Sequence, residues 1–200
     1  MLKLDGIVYK VCSWIYNFIL LNVLYILSCI LVVTAFPATA ALFGVARQWV
    51  KGNDVNVFQQ YRKLFKENLK QSIFIGFIIT IVCLFLIADF YTLTLLNTTF
   101  KPILFTSLAI VSFCVWVTIS NIYPLMVNEY YTNKELIVNA FKLSFYQPHI
   151  TFVQAILSLA WGYLSIRFGF LIIFFSFSGF AFYTYWLTEQ KLKKIIAINQ

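Results

Sequence analysis

Few side chains in this chain could do chemistry in an apolar setting, and the most unusual is a single acid. Asp89 is the only carboxylate within a long apolar stretch, at 72–96. An ionised carboxylate at the bilayer centre costs roughly 2.5–3.5 kcal/mol, so such a residue usually faces protein or water and has a function. Asp89 also lies seven residues before Leu96, which is about 10 Å along a helix. It is therefore either a binding or helix-pairing residue or a side chain that reaches the membrane interface.

Four further residues could bind a ligand or pair helices. Asn22 and Asn121 are amides in apolar stretches, where a hydrogen bond to a neighbouring helix is worth about 1–2 kcal/mol; they could also line a polar path. Arg47 could bind a phosphate head group or an acidic partner, or could be an interface anchor and a favourable cation at a helix C-terminus. Pro37, with Gly44, could permit a broken helix of the kind found at transporter sites, or mark a plain helix break.

The sequence contains no recognisable catalytic or cofactor motif. It has no nucleophile elbow, zinc-protease motif, phosphate-binding loop or dinucleotide fingerprint, and no two acids share a helical face within an apolar stretch. One histidine and four cysteines without CxxC spacing do not form a metal-ligand cluster. We therefore expect no enzymatic activity, no cofactor and no metal. The cysteines are Cys12, Cys29, Cys83 and Cys114.

The elements that must position these residues are long apolar helices. Four apolar stretches are each long enough to cross a hydrocarbon core of about 30 Å. The last, 152–187, is too long for one crossing, since it would measure about 54 Å as a helix. Arg167 and Gly169 near its middle predict a helical hairpin. Five spans are therefore predicted, at about 14–36, 72–96, 103–123, 152–166 and 169–187.

Composition supports a single integral membrane domain over 1–200. Hydrophobic residues make up 62% of the chain and charged residues 11%, whereas a soluble domain has about 25% charged residues. The predicted fold class is an all-α polytopic membrane protein, with the lipid bilayer as its partner. The net charge of +8 fits basic connections in a membrane protein, and no motif indicates nucleic-acid binding.

Three shorter amphipathic or interfacial helices are predicted between the spans. The first, at 38–50, is too short to cross, because the run from Pro37 to Trp49 measures only about 21 Å as a helix. The second, at 55–71, has aromatics at helical spacing and a basic face, with Asn53 or Asp54 as its expected cap. The third, at 133–146, begins with a capping box.

Lysine and arginine predict the orientation. The connection 47–71 carries six of them, 126–149 two and the tail after 187 three. With five spans, eleven cations lie on the side of the C-terminus and four on the other. Positive-inside bias then predicts a cytoplasmic C-terminus and an N-terminus outside. If 37–49 also crosses, there are six spans, both termini are cytoplasmic and the count is thirteen against two.

The residues around Pro37 carry a family resemblance. The run 37–49 (PATAALFGVARQW), followed by Gly52 and Phe58, resembles the signature of the YesL-like family, small bacterial membrane proteins catalogued as a domain of unknown function. Asn22 and the Lys- and Phe-rich helix before the second span are also similar to that family. The likeness extends over nearly the whole chain in length and span order, and the stretch 37–52 is its specific part.

The resemblance implies a physiological setting and no reaction. Members of the family are often encoded beside carbohydrate-uptake ABC transporters, glycan-degrading enzymes and sensor kinases. Together with the lack of catalytic motifs, it implies a non-enzymatic accessory protein of the bacterial plasma membrane. This protein is expected to contact a larger membrane partner, a carbohydrate ABC importer or a sensor kinase, through helix faces and the basic surface helix at 55–71. The alternative is a small oligomeric transporter or channel whose path is lined by Asp89, the two asparagines and Pro37. The sequence leaves the oligomeric state open.

Overall fold

The structure, a computed structural model, describes residues 6–95 and 99–198. Over these residues every regular element is helical, which confirms the all-α membrane class. Four of the described helices, α1, α4, α5 and α7, are long and apolar enough to cross a membrane. The elements are α1 (Ile7–Ser28), a 3-10 turn (Val32–Thr34), α2 (Ala35–Val50), α3 (Val57–Glu67), α4 (Leu69–Leu95), α5 (Lys101–Asn128), α6 (Asn133–Tyr146), α7 (Pro148–Arg167), α8 (Gly169–Phe174) and α9 (Ser176–Ile198).

The single helix predicted over 14–36 is wrong. α1 ends at Ser28 and α2 begins at Ala35, so Pro37 lies in the first turn of α2, where its missing N–H is tolerated. The hydroxyl of Thr34 donates to the carbonyl oxygen of Ser28 and so satisfies one of the exposed acceptors at the end of α1. The intervening residues are apolar, and their composition therefore gives no sign of the break.

α2 runs back antiparallel to α1. Near the break, the hydroxyls of Tyr25 and Thr39 are 3.4 Å apart. At the other end, the rings of Trp14 and Trp49 have their centroids 5.9 Å apart. The two helices therefore lie side by side along most of the length of α2.

α2 forms the centre of the bundle, which corrects the interfacial position expected for 38–50. It packs against α1, α3, α4, α5 and α9. Small side chains permit these close approaches: a Cβ added at Gly44 would lie 2.6 Å from Leu64 Cδ1 of α3. The buried residues of α2 are Pro37, Ala38, Ala40, Ala41, Leu42, Phe43, Gly44, Val45, Ala46 and Trp49.

α4 and α5 form a long antiparallel pair. The hydroxyl of Ser72 lies 3.3 Å from the sulfur of Met126 at one end, and the rings of Phe90 and Phe105 are 5.9 Å apart toward the other. α5 continues through Pro124 to Asn128, five residues beyond the predicted end at 123. Few apolar side chains of α4 and of the first half of α5 are buried, whereas residues 121–127 of α5 are all buried.

α7 and α9 form a second antiparallel pair, which corresponds to the hairpin predicted from Arg167 and Gly169. The hydroxyls of Ser165 and Ser176 are 2.6 Å apart near the turn, and the Gln154 and Lys191 side chains bond at 2.9 Å near the other end. The single helix predicted over 169–187 is wrong, because α8 ends at Phe174 and α9 begins at Ser176. α9 then continues beyond the predicted end at 187 to Ile198.

The short helices α3 and α6 have different caps from each other. Asn56, rather than Asn53 or Asp54, caps α3: its side chain accepts a hydrogen bond from the Gln59 backbone N–H at 3.2 Å. α6 begins at the predicted capping box, in which the Thr132 and Glu135 side chains bond each other's backbone N–H. α3 covers 57–67 and is therefore shorter than the helix predicted over 55–71.

The start of α1 and the latter part of α9 lie at the same end of the bundle, which we call the basic end. Trp14 of α1 contacts Phe182 of α9, with ring centroids 6.3 Å apart. The end of α5 is at this end too, since Arg47, close to Trp49 in α2, donates to the Val127 carbonyl. Gln71 at the start of α4 donates to the Tyr131 carbonyl at 2.8 Å and so joins α4 to the α5–α6 connection. Because α2 returns along α1, this arrangement differs from the five-span prediction, which separates the two termini.

Candidate functional site

The most unusual buried group is Lys191 of α9, which is fully buried. Its Nζ donates to Gln154 Oε1 of α7 at 2.9 Å and to Asn121 Oδ1 of α5 at 3.4 Å. No acid lies within ion-pair distance of it among the described residues. Buried lysines are normally paired with an acid, so an amine held only by neutral amides is a distinctive feature.

Asn121 is the centre of this network. Its amide Nδ2 donates to the Val117 carbonyl at 2.9 Å and to Ser144 Oγ of α6 at 3.0 Å. Its Oδ1 accepts from Lys191 and from Thr188 Oγ1, each at 3.4 Å. One fully buried amide therefore connects α5 with α6 and α9, and through Lys191 with α7.

The network is closed to ligands. The gap beside it, lined by Gln154, Thr151 and Ser158, is too small for a water molecule. Gln154 Nε2 has no hydrogen-bond partner among the described residues, and the network holds amides, hydroxyls and one amine. It can hold four helices together, but the described residues provide no neighbouring acid for proton transfer and no space for a substrate.

Sequence reasoning missed Lys191, because it was counted among the basic residues of the tail. A signal was present: Thr184, Thr188 and Lys191 recur at helical spacing at the end of a mainly aromatic and apolar segment. Such a stripe marks one polar face of a helix. Its buried location depends on amides of α5 and α7, which lie far away in the sequence.

Asn22 stabilises the break between α8 and α9. Its Nδ2 donates to the carbonyls of Ile172 and Ile173 at 2.8 and 2.6 Å, and its Oδ1 accepts from the N–H groups of Phe177 and Ser178 at 2.9 and 3.2 Å. These are the groups that a helix end leaves without intrahelical partners. One side chain of α1 thus satisfies both sides of a chain break.

Arg47 reaches the C-terminal end of a neighbouring helix. Its Nη1 donates to the Val127 carbonyl at 2.5 Å, one residue before α5 ends at Asn128. The Tyr185 hydroxyl donates to Asn128 Oδ1 at 3.1 Å and attaches α9 to the same helix end. A cation is favourable here because the last carbonyls of a helix carry partial negative charge.

Asp89 and Pro37 stand apart from these networks. The side chain of Asp89 is exposed on α4 and forms no ion pair among the described residues. Pro37 is buried in the first turn of α2. The hydrogen-bond networks of Asn22 and Asn121 have no residue in common. The structure therefore does not bring Asp89 and the two asparagines together into one path.

Charged side chains cluster at the surface of the basic end. Desolvation and then the nearby guanidinium of Arg47 lower the pKa of Lys51, which is also close enough to Glu189 and Lys193 to interact with them. Glu189 and Lys193 form an ion pair at 3.1 Å on α9. The ends of α2 and α9 therefore share one charged surface.

An apolar groove, which we call the α4–α5 groove, opens on the flank of the bundle. Its volume is about 420 Å³, and it lies between α4 and α5 with α6 at one end. The atoms that it exposes are all apolar. Among its lining residues are Ile75, Ile78, Val82, Ile110, Ile119 and Phe141.

Comparisons with known proteins identify relatives without an assigned activity. Residues 18–90 match a family described as a protein of unknown function, DUF624. The chain is 30% identical to the uncharacterized protein YesL of Bacillus subtilis (strain 168) over 72% of this chain and 69% of that protein. It is 31% identical to the uncharacterized protein YteU of the same strain over 42% of this chain and 40% of that protein. No solved structure matches the chain significantly.

Proposed function

We propose a docking function for this chain, which belongs to the YesL-like family of uncharacterized proteins. The chain is a non-enzymatic protein of the bacterial plasma membrane that binds a larger membrane protein. The α4–α5 groove receives an apolar transmembrane helix of that partner. The partner is a carbohydrate ABC importer or a sensor kinase, a setting that comes from the family resemblance alone.

The α4–α5 groove is the observation that supports docking best. Helices in lipid associate through close van der Waals packing, because lipid tails are as apolar as the side chains they replace. A concave surface lined by branched residues such as Ile78 and Ile119 offers that packing to a helix. A polar solute would find no hydrogen-bonding group there, so the groove suits a protein partner better than a transported molecule.

The basic end supports a cytoplasmic location for both termini. α2 returns beside α1, so the proposal uses six crossings, with thirteen of the fifteen lysines and arginines on the side of the basic end. The cationic residues of α3 are exposed and can contact acidic segments of a partner protein. They are Arg62, Lys63 and Lys66, followed by Lys70 at the start of α4.

Site-directed photocrosslinking in native membranes tests the docking surface. A photoreactive amino acid at Ile78, inside the α4–α5 groove, should form an adduct with one membrane protein. The matched position is Leu84, which lies on the same helix, is 60% exposed and does not line the groove. We expect a protein adduct from position 78 and only lipid adducts from position 84.

A blocking variant completes this experiment. Ile119→Trp fills the groove and should abolish recovery of the partner at equal stoichiometry in mild detergent, whereas Leu84→Trp should leave it unchanged. If positions 78 and 84 form the same lipid adducts, and the purified protein has no stoichiometric partner, the docking function is excluded.

A small oligomeric transporter is the second candidate, and one cavity favours it. A space of about 360 Å³ lies between α1, α2, α7 and α9 and is lined by Thr39, Trp161, Ser165 and Ser176, among others. Hydroxyls beside aromatic rings can bind a polar solute. Uptake of labelled sugars into proteoliposomes tests this function. Uptake that Ser165→Ala lowers and the exposed Ser107→Ala does not would support transport, and absence of uptake would exclude it for those sugars.

A further inference from the structure

A second cavity, which we call the α1 cavity, opens at the basic end. Its volume is about 590 Å³, and it separates the first turns of α1 from the end of α2 and from the α2–α3 connection. Lys10, Ser13 and Asn17 line the α1 wall, and Trp49 and Asp54 line the opposite wall. A cation and an anion therefore face the same space from two different elements.

The polar side chains of α1 point toward this cavity rather than away from the protein. Lys10, Ser13 and Asn17 recur at helical spacing on the cavity side. Residues on other faces of these turns are apolar and exposed, with Val8 76% and Val11 51% accessible. An ordinary amphipathic helix end turns its polar side chains to solvent and its apolar side chains toward the protein. The polar stripe of α1 has the opposite orientation and is therefore not explained as a solvated face.

The protein leaves the charged groups of the cavity available. Within the described residues, neither Lys10 nor Asp54 forms a salt bridge, and neither side chain makes a hydrogen bond. Asp54 is not needed as a helix cap, because Asn56 caps α3. Polar groups that face a cavity without protein partners are suited to a polar ligand.

Aromatic rings indicate the depth of the cavity in the membrane. Trp14 and Trp49 both line it, and their rings are 5.9 Å apart. Tryptophan concentrates at the level of the lipid head groups, where its ring is in apolar surroundings and its N–H is near water. An indole face also attracts an ammonium group. The α1 cavity therefore combines head-group depth with groups for both charges of a zwitterion.

We infer that the α1 cavity binds the head group of a zwitterionic phospholipid with a primary ammonium, such as phosphatidylethanolamine. Lys10 binds the phosphate, and Asp54 binds the ammonium with help from the oxygens of Ser13 and Asn17. The indole of Trp14, which is 44% exposed, covers the ethanolamine methylenes. This site is independent of the α4–α5 groove and of the proposed docking function.

The charges of the cavity select against other head groups. A purely anionic lipid would be repelled by Asp54, and such lipids have a better site at the basic surface of α3, where Arg62, Lys63 and Lys66 are exposed. A quaternary ammonium has no N–H to donate to the carboxylate or to the neighbouring oxygens. A primary ammonium can thus donate hydrogen bonds to more of the cavity's acceptors than the other head groups can.

Native mass spectrometry of the delipidated full-length protein tests this inference. The protein is titrated with phosphatidylethanolamine, phosphatidylcholine and phosphatidylglycerol of identical acyl chains. We expect phosphatidylethanolamine to bind about 10-fold more tightly than the other two, the equivalent of one charge-assisted hydrogen bond. Asp54→Asn should remove this preference, so that the ethanolamine and choline lipids bind alike. Lys10→Gln should weaken both lipids, because both carry the phosphate.

Matched variants on α3 distinguish the cavity from general surface charge. Glu67→Gln and Lys63→Gln remove the same charges from an exposed pair outside the cavity and should leave the affinities for the ethanolamine and choline lipids unchanged, whereas Lys63→Gln can weaken only the anionic lipid. All of these residues are exposed, so the variants should fold. Equal binding of the three lipids by the unmodified protein, or an equal effect of Glu67→Gln and Asp54→Asn, would overturn the inference.

Discussion

α2 and α4 are apolar helices of one bundle with opposite surroundings. α2 has 16 residues, of which ten are buried, and it contacts five other helices. α4 has 27 residues, of which Ser72, Ile75, Gly76 and Leu93 are buried. The short helix is enclosed by protein, whereas the long one presents Phe77, Leu84 and other large side chains outward.

The difference teaches that small residues, rather than the most apolar ones, mark the centre of this bundle. Lipid tails compete with apolar side chains, so hydrophobicity alone does not bring helices together in a membrane. Alanine and glycine permit close backbone approach, and α2 contains Ala38, Ala40, Ala41 and Gly44 on its buried surface. α4 carries the large aliphatic and aromatic residues that suit a lipid-facing helix.

An alanine-to-leucine substitution in each helix should give the largest difference in the free energy of unfolding. Ala41 of α2 is fully buried, and Ala88 of α4 is exposed. Because extra methylenes force a packed core apart, Ala41→Leu should lower the free energy of unfolding by about 3 kcal/mol. Ala88→Leu should change it by less than about 0.5 kcal/mol. SDS titration in mixed micelles measures both, and equal effects would show that α2 is not the packing centre.

Removal of the hydrogen bond from α2 to α5 should have the next largest effect. Arg47→Met leaves the Val127 carbonyl without its charged donor and should cost about 2 kcal/mol of unfolding free energy. Arg62→Met on the exposed face of α3 is the control and should be close to neutral. If the two variants have the same stability, Arg47 does not attach α2 to α5.

α6 packs against α5 and α7 and not against α2, and its cap should have an intermediate effect. Thr132→Ala removes one side of the capping box and should cost about 1 kcal/mol. Hydrogen bonds from the Thr132 backbone N–H and then its hydroxyl lower the pKa of Glu135 in the folded protein. The stabilisation is therefore present above the ordinary pKa of this carboxyl and is lost as the pH falls through the lowered one.

The pH dependence has its own measurement. Unfolding free energies taken between pH 3 and pH 7 should fall at the acid end for the unmodified protein, and less so for Thr132→Ala. Glu67→Gln, which removes an exposed acid of α3, should retain the acid-dependent loss. An identical pH profile for the unmodified protein and Thr132→Ala would contradict the capping contribution.

The smallest effect is expected from the acid on α4. Asp89 is exposed and has no ion-pair partner among the described residues, so Asp89→Asn should change the free energy of unfolding by less than about 0.5 kcal/mol. Arg47→Met and Asp89→Asn each remove a charge, one from the enclosed helix α2 and one from the exposed helix α4. The loss of unfolding free energy should be larger in α2. A loss of more than about 1 kcal/mol would indicate a contact of Asp89 with a partner or a second copy.

Hydropathy predicts the outer helices well and the inner one poorly. The apolar stretches that became α4 and α5 were placed within a few residues at most ends, because their lipid-facing surface requires continuous apolar sequence. The exception is the end of α5, since Pro124 suggested a stop that the helix passes through. The length of α2 is shorter than the thickness of the hydrocarbon core and therefore predicts an interfacial helix. A helix enclosed by protein, however, need not match the thickness of the bilayer.

The sequence likewise identifies some of the polar residues that hold the bundle together but not others. Asn22, Asn121 and Arg47 were identified because a polar side chain in an apolar stretch is conspicuous, but their partners were not, since backbone carbonyls such as that of Ile172 have no sequence signal. Lys191 was missed because its position in a basic tail resembled that of any surface lysine. Gly52, two residues after the end of α2, adopts a φ of 78°, the left-handed conformation in which glycine commonly ends a helix.

The enclosure of α2 also determines the order in which this protein can be completed. The helices are made in sequence, and α5 begins at Lys101 and α9 at Ser176. Of the helices that surround α2, four (α3, α4, α5 and α9) therefore do not yet exist when α2 itself leaves the ribosome. Until about the last eighth of the chain has been synthesised, part of its central helix is in contact with lipid or with the insertion machinery, and the innermost part of the molecule is the last to be finished.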